Sequence, residues 1–246
     1  MDCYKMFPEI HDIISRDRFY MVRDEITATY NCVPYHSGFH GNDVMLFGYR
    51  LLSHSTLPAL KEMPAKDILT FILALLGHDA GHPGLGNHAE LARIRAMFPT
   101  ATSPLEEFHY LQTRDILMKF DIPFNASLLY QIILATDPCV SIETTSSGFP
   151  EHLRTLVPLV PLIKLADVNH TVSFFSKHLE WTWKLEDELG ITMTPTAQMR
   201  FLETYVMPLL AEAHKIVGLE ESLYSELRMN LKRNIEYWEY KLEMAK

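Results

Sequence analysis

Apolar positions recur along this chain at helical spacing, and no segment sustains the strict in–out alternation of a strand. With its stop and start residues, this rhythm predicts helices over 8–29, 37–54, 64–80, 87–98, 104–120, 125–136, 150–166, 170–189, 195–216 and 219–243. Pro64 suits a first helical turn, and Ser103-Pro104-Leu105-Glu106 reads as a capping box. Pro83-Gly84 should stop the chain, and Pro158, Pro161 and Pro208 should kink or break their helices. The Ser/Thr-rich stretch 141–148 reads as a polar, mobile loop. One segment stands apart: 68–76 is almost wholly apolar, and a helix apolar on every face is buried. No internal repeat or long linker divides the chain. The expectation is one compact all-α domain over 1–246, with motifs in 35–209 and a last amphipathic helix over about 219–243.

Composition changes this picture only at its edges. A chain of 246 residues, 48% of them hydrophobic, is large enough for a sizeable core. Its formal net charge of −9 argues against a nucleic-acid polymer or an anionic membrane surface as the main partner. The three cysteines fit no zinc or disulfide spacing and read as free thiols of a reducing compartment. The N-terminus lacks a basic-then-apolar leader, and the run 68–76 is too short to span a bilayer. A cytoplasmic protein is expected.

Histidine carries the chemistry. The buried helix delivers His78-Asp79 into the interior, with His82 four residues on. A buried carboxylate without a partner is very costly, and a metal ion is one way to satisfy it. His36 and His40 share a helix face, so both can meet one metal, or one can bind metal while the other moves a proton. Asp167 follows another apolar run. Together His40, His78, Asp79 and Asp167 offer two nitrogens and two carboxylates, a mixed set suited to zinc or another first-row divalent ion. Because an aspartate can bridge, the same set is compatible with a two-metal site.

The order His…His-Asp…Asp resembles the HD superfamily of metal-dependent phosphohydrolases. In detail the chain resembles the class I 3′,5′-cyclic nucleotide phosphodiesterases, in a shortened form. The segments that carry the likeness are Tyr35-His36-Ser37-Gly38-Phe39-His40-Gly41-Asn42-Asp43-Val44, His78-Asp79-Ala80-Gly81-His82-Pro83-Gly84, Leu105-Glu106-Glu107-Phe108-His109, Ala135-Thr136-Asp137, Leu165-Ala166-Asp167 and Gln198-Met199-Arg200-Phe201. Three positions depart from the family's pattern: Ser37 for an Asn, Gly81 for a second Asp, and Phe108 for the first of two histidines. The stretch from Asp167 to Gln198 is also shorter than in the family.

The resemblance implies hydrolysis of a cyclic nucleotide such as cAMP or cGMP with two divalent cations, zinc and magnesium or manganese. It implies His36 as general acid, His82 as a group that positions phosphate or water, and Glu106 as a supporting carboxylate. Gln198 and Phe201 would bind and stack the base, and Asp79 would bridge the ions. Two alternatives stay open at this stage: an HD phosphohydrolase for another nucleotide, and an inactive cyclic-nucleotide binding protein. The last helix would pack on its own domain, with a dimer surface as the alternative.

Overall fold

The computed structural model describes residues 2–244. The reading of a single domain runs on to Met1, Ala245 and Lys246, which lie outside the described residues. Two short 3-10 turns lead into helix α1 (Arg16–Thr29). Then follow α2 (Gly38–Ser53), α3 (Pro58–Lys61), α4 (Ala65–Gly77), α5 (His88–Met97), α6 (Pro104–Lys119) and α7 (Ala126–Leu134). The second half holds α8 (Ile142–Ser147), α9 (Leu159–Asp167), α10 (Phe175–Leu189), α11 (Pro195–Phe201), α12 (Met207–Val217) and α13 (Glu221–Met244). Among the described residues there is no strand, only an isolated bridge between Ser55 and Leu219. The fold is all-α.

Helix α4 is the axis. Every residue from Ile68 to Gly77 is buried, as an all-round apolar helix must be. It packs against α1, α2, α6 and α7, while α9 packs against α2, α7 and α12. These contacts bring the C-terminal ends of α4 and α9 together beside the N-terminal half of α2. Each end carries one sequence-predicted carboxylate. Close approach makes this possible: a Cβ on Gly41 of α2 would meet the Tyr30 hydroxyl at 2.6 Å and the Leu76 carbonyl at 2.7 Å. The Tyr30 hydroxyl donates to that carbonyl at 2.6 Å, fastening the last turn of α4.

The helix ends differ from the sequence-based expectation in physically clear ways. The segment expected as a helix over 8–29 opens as a 3-10 turn, Pro8–Ile10, and α1 begins only after Ser15, whose hydroxyl caps it. The segment 150–166 divides at Pro158 into a 3-10 stretch, Glu151–Leu156, and α9. Pro161 does not kink α9, because it sits in the first turn, where an amide has no intrahelical partner to lose. The segment 195–216 widens into a π turn, Leu202–Val206, ahead of Pro208, which has no amide proton to donate. The stretch 141–148 is not a loop but the short helix α8, because the Ser141 hydroxyl accepts from the Thr144 amide and starts it. Ser103 does not cap α6; its hydroxyl donates to Asp137 at 2.7 Å instead.

Gly41→Ala should cost roughly 1–3 kcal/mol, the scale of overpacking a tight core. Urea unfolding measures it; an unchanged midpoint and slope would mean that α2 and α4 do not approach this closely.

Candidate metal centre

The four predicted ligands converge. His40, His78, Asp79 and Asp167 each offer an atom, and these atoms all lie within 4.8 Å of one another. His40 projects from the first turn of α2, His78 and Asp79 directly follow α4, and Asp167 ends α9. Asp167 Oδ1 lies 3.0 Å from His40 Nε2 and 3.2 Å from His78 Nε2. Asp79 Oδ2 lies 3.2 Å from His78 Nε2 and 3.6 Å from His40 Nε2. The ring of His78 is oriented from behind: its Nδ1 donates to the Leu75 carbonyl at 2.9 Å, which turns Nε2 inward. Two carboxylates, Asp79 nearly buried and Asp167 partly so, against two buried imidazole nitrogens form a donor set that fits a divalent ion of the zinc type. Burial alone would raise both carboxylates. Histidine charge and hydrogen bonds outweigh it, from His78 on Asp79 and from His40 and His78 on Asp167, and hold both below the usual range.

Beside this group stand His36 and His82, rings stacked with centroids 3.9 Å apart. A residue that the sequence did not single out governs the pair. Glu188, near the end of α10, holds His36 Nδ1 at 2.6 Å through Oε1. The same carboxylate accepts the amides of Tyr35 (2.9 Å), His36 (3.0 Å) and Leu85 (3.0 Å). Burial would lower the His36 pKa, but the Glu188 bond and the Asp79 charge overcome it and raise it. His82 goes the other way: burial and the neighbouring charge of His36 push it down to about 3. The Gly84 amide donates to His82 Nδ1 at 3.0 Å, so the neutral His82 ring carries its proton on Nε2. The two stacked rings are thereby set apart, one readily protonated and one neutral.

Glu106 stands in the first turn of α6, its carboxyl lifted to about 7, chiefly by burial. It is not the carboxylate bonded to His36; Glu188 takes that contact. Gln198 is buried on α11, where its amide nitrogen donates to the Met193 sulfur. Phe201, at the end of α11, is 37% exposed and stacks on Tyr205 with centroids 5.4 Å apart. No hydrogen bond among the described residues joins Gln198 or Phe201 to the His-Asp group. Burial and then the charges of Asp167 and Asp137 push the Tyr205 hydroxyl up to about 12.

Two further contacts escaped sequence reading. His109 of α6 is buried with Nδ1 on the Ala80 carbonyl (2.8 Å) and Nε2 3.7 Å from Asp79 Oδ1. Behind the site, Trp238 of α13 donates to His178 Nε2 at 2.9 Å, and His178 Nδ1 meets His170 Nδ1 at 3.3 Å. The last helix therefore packs on its own domain at this point. His109 was within reach of the sequence, in the segment with Glu106; Glu188 lay in no motif.

Replacing Glu188 with Gln should let the His36 ring lose its proton at lower pH, because the bond and charge that raise its pKa go with the carboxylate. The sign also fixes a stability effect. A raised histidine stabilises the fold while it is protonated, and that contribution fades as pH rises through its folded pKa. Glu188, held down to about 2, contributes above the ordinary carboxylate range and fades as pH falls toward that value. The stability gap between wild type and Glu188→Gln should thus be widest in mildly acidic solution. NMR titration of the ring and urea melts against pH check both; an unmoved His36 titration would overturn the pairing.

The family model described as 3′5′-cyclic nucleotide phosphodiesterase matches residues 35–194. Curated relatives extend the match over most of the chain. The "cGMP-specific 3′,5′-cyclic phosphodiesterase alpha" of Plasmodium falciparum is 25% identical over 87% of this chain and 27% of its own length. The gamma enzyme of Plasmodium yoelii, also named cGMP-specific, is 25% identical over 92% of this chain and 34% of its own. The "3′,5′-cyclic-nucleotide phosphodiesterase 2" of Saccharomyces cerevisiae is 24% identical over 76% of this chain and 36% of its own. The chain thus spans about a quarter to a third of the length of these relatives. The family model covers more than half of the chain, and with the His-Asp group that could hold a metal ion and the stacked histidines beside it, the chain belongs to the 3′5′-cyclic nucleotide phosphodiesterase family.

Proposed function

We propose that this protein hydrolyses the 3′ ester of a purine 3′,5′-cyclic nucleotide to the 5′-monophosphate, using two divalent cations. The observation that carries the reading is the convergence of four ligand atoms within 4.8 Å, beside a histidine whose proton a carboxylate secures. His40, His78, Asp79 and Asp167 would hold a zinc ion, with Asp79 shared with a second ion, magnesium or manganese. When bound, the ions would supply a water nucleophile near neutral pH and offset the charge of the phosphodiester.

The chain's own residues account for the rest. The leaving O3′ needs a proton. His36 offers one from Nε2, because Nδ1 is engaged by Glu188 and the carboxylate favours the protonated ring. His82, neutral with its proton on Nε2, donates to a phosphate oxygen and adds no charge next to His36. Glu106, its carboxyl lifted to about 7 chiefly by burial, accepts a hydrogen bond from water entering the site. Gln198 and Phe201 bind the base, with Tyr205 supporting the Phe201 ring from behind. The relatives named cGMP-specific favour cGMP as the first substrate to try, and cAMP remains the alternative. Free cysteines, one buried and two exposed, suit a reducing cytoplasm. Among the described residues no helix is long and apolar enough to cross a membrane.

A panel of cGMP, cAMP, cyclic pyrimidine nucleotides and cyclic dinucleotides, each with zinc, magnesium and manganese, tests the activity. Turnover of a purine cyclic mononucleotide is expected; turnover of none would overturn the proposal. His36→Ala should lower kcat by roughly 10²–10⁴-fold, the scale of general acid catalysis, with metal content unchanged. Asp167→Ala should empty the tighter ion site in elemental analysis; an Asp167→Ala protein with full metal and activity would refute the ligand set.

A further inference from the structure

Helix α13 has two faces. One is spent on its own domain: Asn234 donates to the Thr171 and Ser173 carbonyls at 2.8 and 3.1 Å, and Trp238 donates to His178. The other borders a groove of about 800 Å³, walled on its far side by the π turn and α12. Leu210, Leu231 and Ile235 give it an apolar floor, and Met207 and Met229 line it at 46% and 48% exposure. Along this face the charges of α13 are sorted by sign. Arg228 and Lys232 precede Asn234, Glu236 and Glu239 follow it, and all four line the groove. Their spacing of three and four keeps them on one stripe. Among the described residues Arg228 and Glu239 have no ion-pair partner, and Lys232 reaches only Glu236, one turn on, at 3.5 Å.

A two-fold axis turns this order into complementarity. In a symmetric pair, whatever residue i meets on its partner is met by the partner's residue i in return. When two copies of α13 run antiparallel and cross level with Asn234, Arg228 of each lies opposite Glu239 of the other, and Lys232 opposite Glu236. Each contact forms twice. Met229 and Tyr240, 48% and 57% exposed, fall opposite each other in the same register. A parallel pair would instead set Arg228 against Arg228 and Glu239 against Glu239. We propose that two copies of this chain associate across this groove, α13 against α13, antiparallel and centred level with Asn234. The apolar floor supplies the association. The charges set direction and register, because exposed ion pairs contribute little by themselves. Helix α13 runs 24 residues. At 1.5 Å per residue that is about 36 Å, long enough for an interface of roughly 1,200 Å² or more.

Sedimentation velocity on the full chain, with zinc and magnesium in a low-salt buffer, tests this without reference to turnover. Wild type should form a dimer with a Kd on the order of 1–10 μM. Added salt should loosen it, since screening weakens the charge pairs. Two charge reversals, Arg228→Glu/Lys232→Glu and Glu236→Lys/Glu239→Lys, should each weaken self-association on the order of 10–100-fold, because like charges then face each other. All four side chains are exposed, so thermal melts of both variants should stay close to wild type. Mixed in equal amounts, the two reversed proteins should dimerise again, each with the other. Wild type that stays monomeric up to about 100 μM would overturn the proposal, and so would a face reserved for a different macromolecule, which gives that same result. A dimer indifferent to both reversals would place the interface elsewhere and overturn it as well. Reversed proteins that fail to recover when mixed would refute the antiparallel register.

Discussion

Two carboxylates, at the ends of two apolar helices, meet in the interior, and the remaining architecture answers to that fact. Desolvating one ionised carboxylate without a partner is prohibitively costly, and two side by side compound it. The cost is offset locally by His40 and His78, which stand within 3.6 Å of both Asp79 and Asp167. Those histidines can stand there only because α2, α4 and α9 pack closely, and the Gly41 contact permits that approach. The hydrophobic core is thus more than a support. It brings the C-terminal ends of α4 and α9 together, so that the carboxylates they carry lie side by side.

A second carboxylate organises the rim. Glu188 accepts four hydrogen bonds, three from backbone amides, and so ties the segment before α2 and the turn after His82 to α10. The same contacts that close the loops fix the proton on His36. Positioning and acid–base tuning are therefore one interaction: Glu188 favours the protonated ring of His36, while the Gly84 amide fixes the tautomer of the neutral His82 ring stacked on it.

Much of this was legible in the sequence, for a specific reason. The apolar run 68–76 and the run before Asp167 are local signals, and a carboxylate at the end of a buried helix has few fates. The helix class and the meeting of His78, Asp79 and Asp167 follow from these, while His40 rests on its helical spacing to His36. The unread parts all depend on distant partners. Glu188 and His36 are 152 positions apart, and nothing near Glu188 distinguishes it from other acids of an amphipathic helix. Ser103 has the residue type of a cap, yet Asp137 takes its hydroxyl. Stretch 141–148 has the composition of a loop, yet one serine cap and a run of side-chain bonds to the backbone make it a helix.

The departures from the family's pattern look like decay when counted singly. In space two of them are one feature. A Cβ on Gly81 would meet the Phe108 ring at 2.9 Å, and the positive φ there strains any residue with a side chain. An acid at 81 would therefore be strained by the positive φ and would need the Phe108 ring to move, while Gly81 and Phe108 fit as they stand. Independent losses would leave a gap or an unpaired polar group at such a place. Here the ring fills the space, and the next residue along, His109, keeps its lone pair turned toward Asp79.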